Sequence, residues 1–515
     1  MNSSATSGDP GSGAAPRGPL TVEQYLSAVL DDVLSPTPTT LPLADCAGLV
    51  LAEDVAAKLP VPPFTNSAMD GFAVRAADLV AGEGTSGASG AGGAGGASGA
   101  GGASGAGGAS GADDASSVSG HGAGATLPVS ADIPAGTAPG PLVPGTAARI
   151  MTGAPVPDGA DAIIPVEDTD SAPGPRACPA TVTVPAEVAG RVRAGAHVRP
   201  AGEDVGVGDV VLRAGEVLSA AALASAASIG HGELPVFARP RVSVVATGAE
   251  LVAPGLTPGP GQIPDSNAIL LTTLARDWGA DVTVVRASGD TADELADALA
   301  RAAADADVVV TSGGISAGAF DPVKTLAAEG RADISFFKLR QQPGGPQARG
   351  RIGDAVLLGL PGNPVSVFVS AILYLRPLLA KVAGLGDGRD VVKRDGARDA
   401  GHAAPSLPDL DIIDVIADAE FRARRGKVRF VPVSVADGRA RPVHERGLGS
   451  HLIASLHRAN ALLVLPAAGS VDPADVAAAD GDPATVPAPE AYGPGDRLAA
   501  IPLDPALRRG KDRHS

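Results

Sequence analysis

Three short polar loops carry the first sign of chemistry in this 515-residue chain. Thr247-Gly248-Ala249-Glu250 sets a carboxylate just beyond a glycine, which lets backbone approach a ligand closely. Ser312-Gly313-Gly314-Ile315-Ser316-Ala317-Gly318 is a run of small residues able to turn several N–H groups toward an anion, with Asp321 and Lys324 close behind. Leu360-Pro361-Gly362-Asn363-Pro364 reads as a strand end followed by a helix start, Asn363 at the N-cap and Pro364 in the first turn. A helix N-terminus there would hold phosphate oxygens. One such loop alone is most simply a tight connection; three in succession predict a common site. No GxxxxGK[ST] and no strand-linked GxGxxG occurs, so neither a P-loop nucleotidase nor a conventional dinucleotide enzyme is supported.

The elements that must position these loops follow from hydrophobic periodicity. Buried-type strands are predicted at 242–246, 281–286, 308–311 and 355–360, and helices at 266–278, 292–304 and 365–383, with Thr291 and Glu294 forming a capping box. Alternation of strand and helix predicts a doubly wound parallel sheet whose ligand site lies at the carboxyl ends of the strands. Upstream, Thr21 to Gln24 is a capping box opening a helix that ends near Leu34, with Val22, Leu26, Val29, Leu30 and Val33 on one stripe. Residues 82–125 are nearly pure Gly, Ala and Ser and predict a flexible surface insertion, because they bury too little to offset their ordering entropy. Short runs at 162–166, 180–184 and 209–212 predict β-rich material, and 218–229 an Ala-rich helix. Beyond residue 387, runs at 427–435, 461–465 and 497–502 predict a small β-barrel or sandwich, interrupted by a Pro/Ala/Asp-rich insertion near 471–490.

Bulk properties narrow the function classes. Forty basic against 57 acidic residues give a net charge of −17, which argues against a nucleic-acid surface. An anionic substrate would need bound cations or oriented backbone amides. Aromatic residues are only 3%, so cores must be built from Val, Leu, Ile and Ala. Two cysteines, Cys46 and Cys178, are too few for a disulfide scaffold or a four-ligand zinc site and fit a reducing compartment. Residues 1–20 lack an apolar segment and no run of about 18 uninterrupted apolar residues occurs, so we expect a cytoplasmic protein without a membrane span.

At this point the residues resemble a known family. Thr247-Gly248-Ala249-Glu250-Leu251, Ser312-Gly313-Gly314-Ile315-Ser316, Asp321 and the LPGNP of 360–364 resemble the molybdopterin-binding domain shared by MoeA, MogA and gephyrin. Upstream, Pro62-Pro63-Phe64-Thr65-Asn66-Ser67-Ala68-Met69-Asp70-Gly71-Phe72-Ala73 is similar to the NSAMDGYA signature of MoeA and the gephyrin E domain, which MogA-type adenylyltransferases lack. Ile150 to Pro157 (IMTGAPVP) and Arg199 to Asp204 (RPAGED) match two further motifs in order. The resemblance spans about 21–502 apart from the two insertions, and identifies the chain as similar to molybdopterin molybdenumtransferases.

That resemblance implies a homodimer with the active site between the α/β domain of one subunit and the Asp70 domain of the other. It also implies a domain plan: a disordered start at 1–20; an elongated linker or dimerisation domain from 21–60 and 187–240; a β-rich domain at 61–186; a MogA-like molybdopterin-binding α/β domain at 241–386; and a C-terminal β-barrel at 387–515. The implied reaction takes adenylylated molybdopterin and molybdate to molybdenum cofactor and AMP with Mg2+, and the implied partners are a MogA-type adenylyltransferase and recipient molybdoenzymes. Asp290 and Asp321 are the expected metal or pyrophosphate pair, Glu250 the pterin contact, and Asp70, Asp204 and Thr152 the partner subunit's share. Thr247, Gly248, Ser312, Gly313, Gly314, Ser316, Lys338, Pro361 and Asn363 complete the expected substrate site. The plainer reading of Asp70, Asp204 and Asp290 is a set of turn aspartates bonding their own backbone, and of Lys324 a solvated side chain.

One departure stands out. The family's KPGKP stretch is Gln342-Pro343-Gly344-Gly345-Pro346 here, so two lysines are replaced, while Lys338 and Arg340 remain and Arg349 is a candidate substitute. Loss of both charges beside an anion predicts weaker binding by about one to a few kcal/mol. It also supports the rival expectation of a gephyrin-like scaffold that keeps the fold without catalysis.

Overall fold

The structure, a computed structural model, describes residues 18–33, 35–80, 124–287, 291–315, 322–386, 412–444, 449–469 and 488–504. The chain divides into two compact units, one formed by Met1–Asp54, Arg213–Leu223 and Glu233–Ser515, the other by Val55–Leu212 and Ala224–Gly232.

In the first unit, strand β1 (Arg241–Ala246) leads through helix α1 (Ser266–Asp277) to β2 (Asp281–Arg286), and helix α2 (Ala292–Ala303) leads on to β3 (Val308–Ser312). Helix α3 (Pro322–Ala328), β4 (Asp333–Lys338), β5 (Pro346–Ile352) and β6 (Ala355–Leu360) follow, then a long helix opening with α4 (Pro364–Ser370). The strand order is β2-β1-β3-β6-β5-β4. Strands β1, β2, β3 and β6 are mutually parallel, as their apolar runs predict. Alternate residues serve opposite faces: Val242 and Val244 pack with Ala268, Leu271 and Ala275 of α1, whereas Val245 and Val309 pack with Leu295, Ala298 and Leu299 of α2. The chain passes from one face to the other between β1 and β3, the switch point at which ligands of such sheets bind.

The structure adds to the all-parallel expectation an antiparallel pair, β4 and β5, on the far side of β6. Its strands mix polar and apolar residues without a clean alternation, which hides them from periodicity. Gly350 makes the pairing possible, since a Cβ there would lie 1.8 Å from the Asp333 carbonyl oxygen.

The helix after β6 runs Pro364–Val382 with one π turn at Ala371–Leu375, just before Pro377, which has no N–H to offer the preceding turn. It is long and apolar enough to cross a membrane by composition, and 78% of it is buried. Its residues Val367, Val369, Ile372, Leu375 and Leu379 are core.

Against this core lies the N-terminal helix Val22–Asp31, with the Thr21–Gln24 capping box formed. Fully buried Tyr25 meets Tyr374 edge-to-face at 4.9 Å and donates its hydroxyl to the Ala348 carbonyl at 3.0 Å. The same seam corrects one expectation. Arg349 does not replace the missing lysines: it donates to the Ala28 carbonyl and the Asp32 carboxylate, and its guanidinium lies 5.6 Å from the Phe337 ring centroid.

The C-terminal strands Val428–Ala436, Arg439–Pro442, Ile413–Ala417, Arg497–Pro502 and Ala461–Leu465 pair in that order, and the last pairs back with the first, closing a five-stranded barrel. Gln341–Gln342 adds a short parallel strand to its rim. The second unit holds a five-stranded sheet ordered Ala162–Pro165, Gly71–Val74, Ala147–Ile150, Ala125–Ile133, Thr181–Val184. The Gly/Ala/Ser insertion lies outside the described residues except at its C-terminal edge, and so does most of 471–490.

Tyr25→Ala should destabilise the first unit by about 3–5 kcal/mol, the cost of deleting a buried aromatic, whereas Tyr25→Phe should cost about 1 kcal/mol for the hydroxyl's hydrogen bond. Thermal or urea unfolding of both variants measures the difference. Equal losses would show that the ring contributes little.

Candidate functional site

Parallel register brings the three polar loops together. Ala246, Ser312 and Leu360 are direct partners across β1, β3 and β6, so the loops that follow leave the sheet level with one another. Their backbones nearly touch: a Cβ on Gly362 would sit 3.6 Å from the Gly313 Cα, and one on Gly313 would sit 3.9 Å from the Thr247 carbonyl oxygen. Gly313 and Gly314 adopt φ +90° and +71°, a region that favours glycine. At Gly248, φ is +132° and a Cβ would fall 2.4 Å from a Glu250 carboxylate oxygen, so that carboxylate is folded back over the glycine beside the end of β1.

The remaining expected residues of this unit take different places. Thr247, Ser312 and Pro361 are buried under the loops, whereas Glu250 and Asn363 are exposed. Lys338 is exposed at the last position of β4, at the same end of the sheet and two strands from Leu360, about 10 Å by strand spacing. The Gly313 N–H already donates to the Leu360 carbonyl at 3.0 Å, so an anion at this loop must take amides beyond it. Asn363 has N-cap backbone geometry, but its side chain makes no capping bond. The Val365 amide of the first turn donates to the Ser450 carbonyl at 3.0 Å. That helix start is therefore partly satisfied by the barrel rather than wholly open to a ligand. Asp290, Ser316 and Asp321 lie outside the described residues.

In the second unit, three motifs distant in sequence are tied by hydrogen bonds. The Thr152 amide and hydroxyl both donate to one Asp70 carboxylate oxygen, at 2.7 and 2.9 Å. These bonds, the amide's first, hold the Asp70 pKa below the ordinary carboxylate range. Ser67 and the 153–154 turn exchange backbone bonds, with Gly153 N–H to Ser67 O at 2.8 Å and Ser67 N–H to Ala154 O at 3.0 Å. The stretch before Asp204 is anchored likewise: Gly202 N–H donates to Pro62 O and Asp204 N–H to Val61 O. Asp70, Thr152 and Asp204 are all exposed on this unit.

Reading by motif missed a cluster at the start of α1. Asp265 caps the helix, its Oδ1 accepting the Ala268 N–H at 3.0 Å, and Asn267 donates from Nδ2 to the Gly362 carbonyl at 2.8 Å. The Asp-Ser-Asn spacing is an N-cap signal, but nothing in it announces a link to a loop 95 residues away. A cleft also opens beside the Gln342–Pro343 turn, walled by Val365, Phe430 and Leu452, with Arg429 and His444 on its lining. Burial lowers the Arg429 pKa, with Arg424 adding to the effect.

Family models match along the chain: the MoeA N-terminal region (domain I and II) over residues 20–230, a probable molybdopterin binding domain over 243–381, and the MoeA C-terminal region (domain IV) over 414–476. Molybdopterin molybdenumtransferase 2 of Mycobacterium tuberculosis is 41% identical over 374 residues, 71% of this chain and 80% of the relative. The chain belongs to the MoeA, or molybdopterin molybdenumtransferase, family. Molybdopterin molybdenumtransferase of Haemophilus influenzae is 33% identical over 71% of this chain and 78% of its own length. The MoeA fold is shared with a molybdopterin biosynthesis MoeA protein from Pyrococcus horikoshii, at a TM-score of 0.65 and 23% identity over 95% of this chain and 100% of that one. MoeA membership accounts for the order of motifs in both units.

Thr152→Val should raise the Asp70 pKa toward the ordinary carboxylate range, while the remaining amide bond keeps part of the depression. A carboxyl NMR titration reads it, and an unchanged value would assign the shift to the backbone alone. Because the folded value is depressed, the contribution of Asp70 to stability is present above its unfolded pKa and is lost as pH falls through the folded one.

Proposed function

We propose that this MoeA-family transferase acts in molybdenum cofactor biosynthesis, inserting molybdate into adenylylated molybdopterin with release of AMP. The observation that carries this reading is the meeting of three glycine-bearing loops at the level ends of β1, β3 and β6 in the molybdopterin-binding domain. Backbone that close leaves room for a flat, polyanionic ligand to lie against main-chain amides, which suits a protein of charge −17. In this reading Glu250, whose carboxylate lies over Gly248, accepts a pterin N–H, and exposed Lys338 offsets phosphate charge. Asp70, oriented by Thr152, which also lowers its pKa, and Asp204 form the acidic share. In our reading a homodimer brings that share to the crevice of the partner subunit, and the enzyme works in the cytoplasm, receiving substrate from a MogA-type adenylyltransferase and passing product to molybdoenzymes.

Magnesium fits this donor set. Among the described residues no group of three or more His, Cys, Asp or Glu is placed to hold a metal. Magnesium, however, commonly takes one or two carboxylates and completes its shell with water and substrate phosphates. We assign Asp290 and Asp321 as those carboxylates. When bound, the ion would neutralise charge building on the cleaved pyrophosphate.

Incubated with adenylylated molybdopterin, magnesium and molybdate, the protein should release AMP, and Asp290→Asn and Asp321→Asn should each abolish release while keeping melting temperature and oligomeric state. Full activity in both variants would remove the assigned pair. No AMP from the unaltered protein at any molybdate concentration would favour the gephyrin-like scaffold, whose support is the loss of lysine at Gln342 and Gly345.

Because Arg349 is held by Asp32, those two charges are not restored from that side. Half-maximal cofactor formation should therefore need about tenfold more molybdate than in a lysine-bearing relative, the equivalent of about 1.4 kcal/mol. Saturation at the same concentration would refute this.

A further inference from the structure

Asp265 is 1% exposed, yet only one of its carboxylate oxygens accepts a hydrogen bond within the fold. Oδ1 caps α1, whereas Oδ2 is buried without a hydrogen-bond partner. The nearest cation, Arg286 at the last position of β2, stands 3.7 Å away, too far for a hydrogen bond, with its own side chain half exposed. One position beyond Ser266, Asn267 repeats the pattern: Nδ2 is fixed on the Gly362 carbonyl and Oδ1 is buried without a donor. Two acceptors lacking donors thus lie within the first turn of α1, one of them tied directly to the loop after β6. Buried polar groups are ordinarily satisfied, so acceptors left open at a strand-end crevice mark where a ligand's donors belong.

We propose that Asp265, with Asn267 beside it, is a substrate-binding residue that receives the N–H edge of the pterin ring; this rests on the function proposed above. A 2-amino-4-oxopteridine presents an exocyclic amine and a ring N–H side by side, two donors for the two open acceptors, Asp265 Oδ2 and Asn267 Oδ1. Arg286 makes no hydrogen bond to Oδ2 at 3.7 Å, so the ligand edge can take that place without breaking one. The same arginine disfavours a divalent cation at this oxygen, since the two positive charges would face each other. Asp265 therefore selects for the amino-substituted ring, while Glu250 after β1 meets another pterin N–H and the loops after β3 and β6 hold the phosphates.

Asp265→Asn tests this without removing the helix cap, because asparagine is an equally good N-cap. Its amide N–H meets the 2-amino group as donor against donor, but pairs with the 2-oxo group of lumazine. Binding of pterin and lumazine by the full-length protein, followed by fluorescence competition against adenylylated molybdopterin, gives the preference. The unaltered protein should favour pterin at least tenfold, and Asp265→Asn should lose or reverse that preference at an unchanged melting temperature. An unchanged preference in the variant, or none in the unaltered protein while it still binds adenylylated molybdopterin, overturns the assignment and leaves the proposed function standing. Failure of the unaltered protein to bind adenylylated molybdopterin overturns both.

Discussion

The structure depends on three parallel strands ending in step. Because Ala246, Ser312 and Leu360 are register partners, the loops after them start from one line and must share the space above it. Strands about 4.8 Å apart leave little room for side chains between such loops. The loops reach ordinary van der Waals contact at Gly362, Gly313 and Thr247, and positive φ at 248 and 313 favours glycine there, so the crevice has a floor of backbone rather than of side chains. The core beneath it, from α1 on one face and α2 on the other, holds the register by burying alternate valines.

A floor of backbone also resolves the tension between an acidic chain and an anionic ligand. Main-chain amides attract anions without adding net charge. Each of two described acids is held by its own neighbours: Asp70 is bonded to Thr152 in one unit, and Glu250 is folded over Gly248 in the other. The barrel contributes too, since Ser450 occupies the first open amide of the helix after LPGNP. Part of what motif reading assigns to the ligand is thus already spent on joining α/β domain to barrel.

The glutamine-bearing turn shows the reverse case, a motif changed in charge but firmly held in shape. Buried Gln347 donates to the Gly344 carbonyl at 2.8 Å and to the Ser370 hydroxyl at 2.7 Å, and Gln341 donates to the Pro343 carbonyl at 3.0 Å. Tyr374 in turn donates to Gln341. The turn therefore keeps its place beside the cleft although two lysines are absent, so charge and geometry vary independently here.

Local pattern sufficed for the four parallel strands, for the helices α1, α2 and the long helix after β6, and for the two capping boxes at Thr21 and Thr291, because periodicity and capping depend on near neighbours. Family resemblance in the NSAMDG and RPAGED stretches supplied residues that periodicity passes over. What pattern missed depends on long-range pairing. The β4–β5 insertion rests on Gly350 meeting Asp333, Arg349 is claimed by Asp32 317 residues away, and Asn267 is fixed by Gly362 95 residues on. Residue types and order were thus written in the chain, but which donors and acceptors remain open for a ligand was decided only by folding, since a polar atom is spare only after every neighbour in space has been counted.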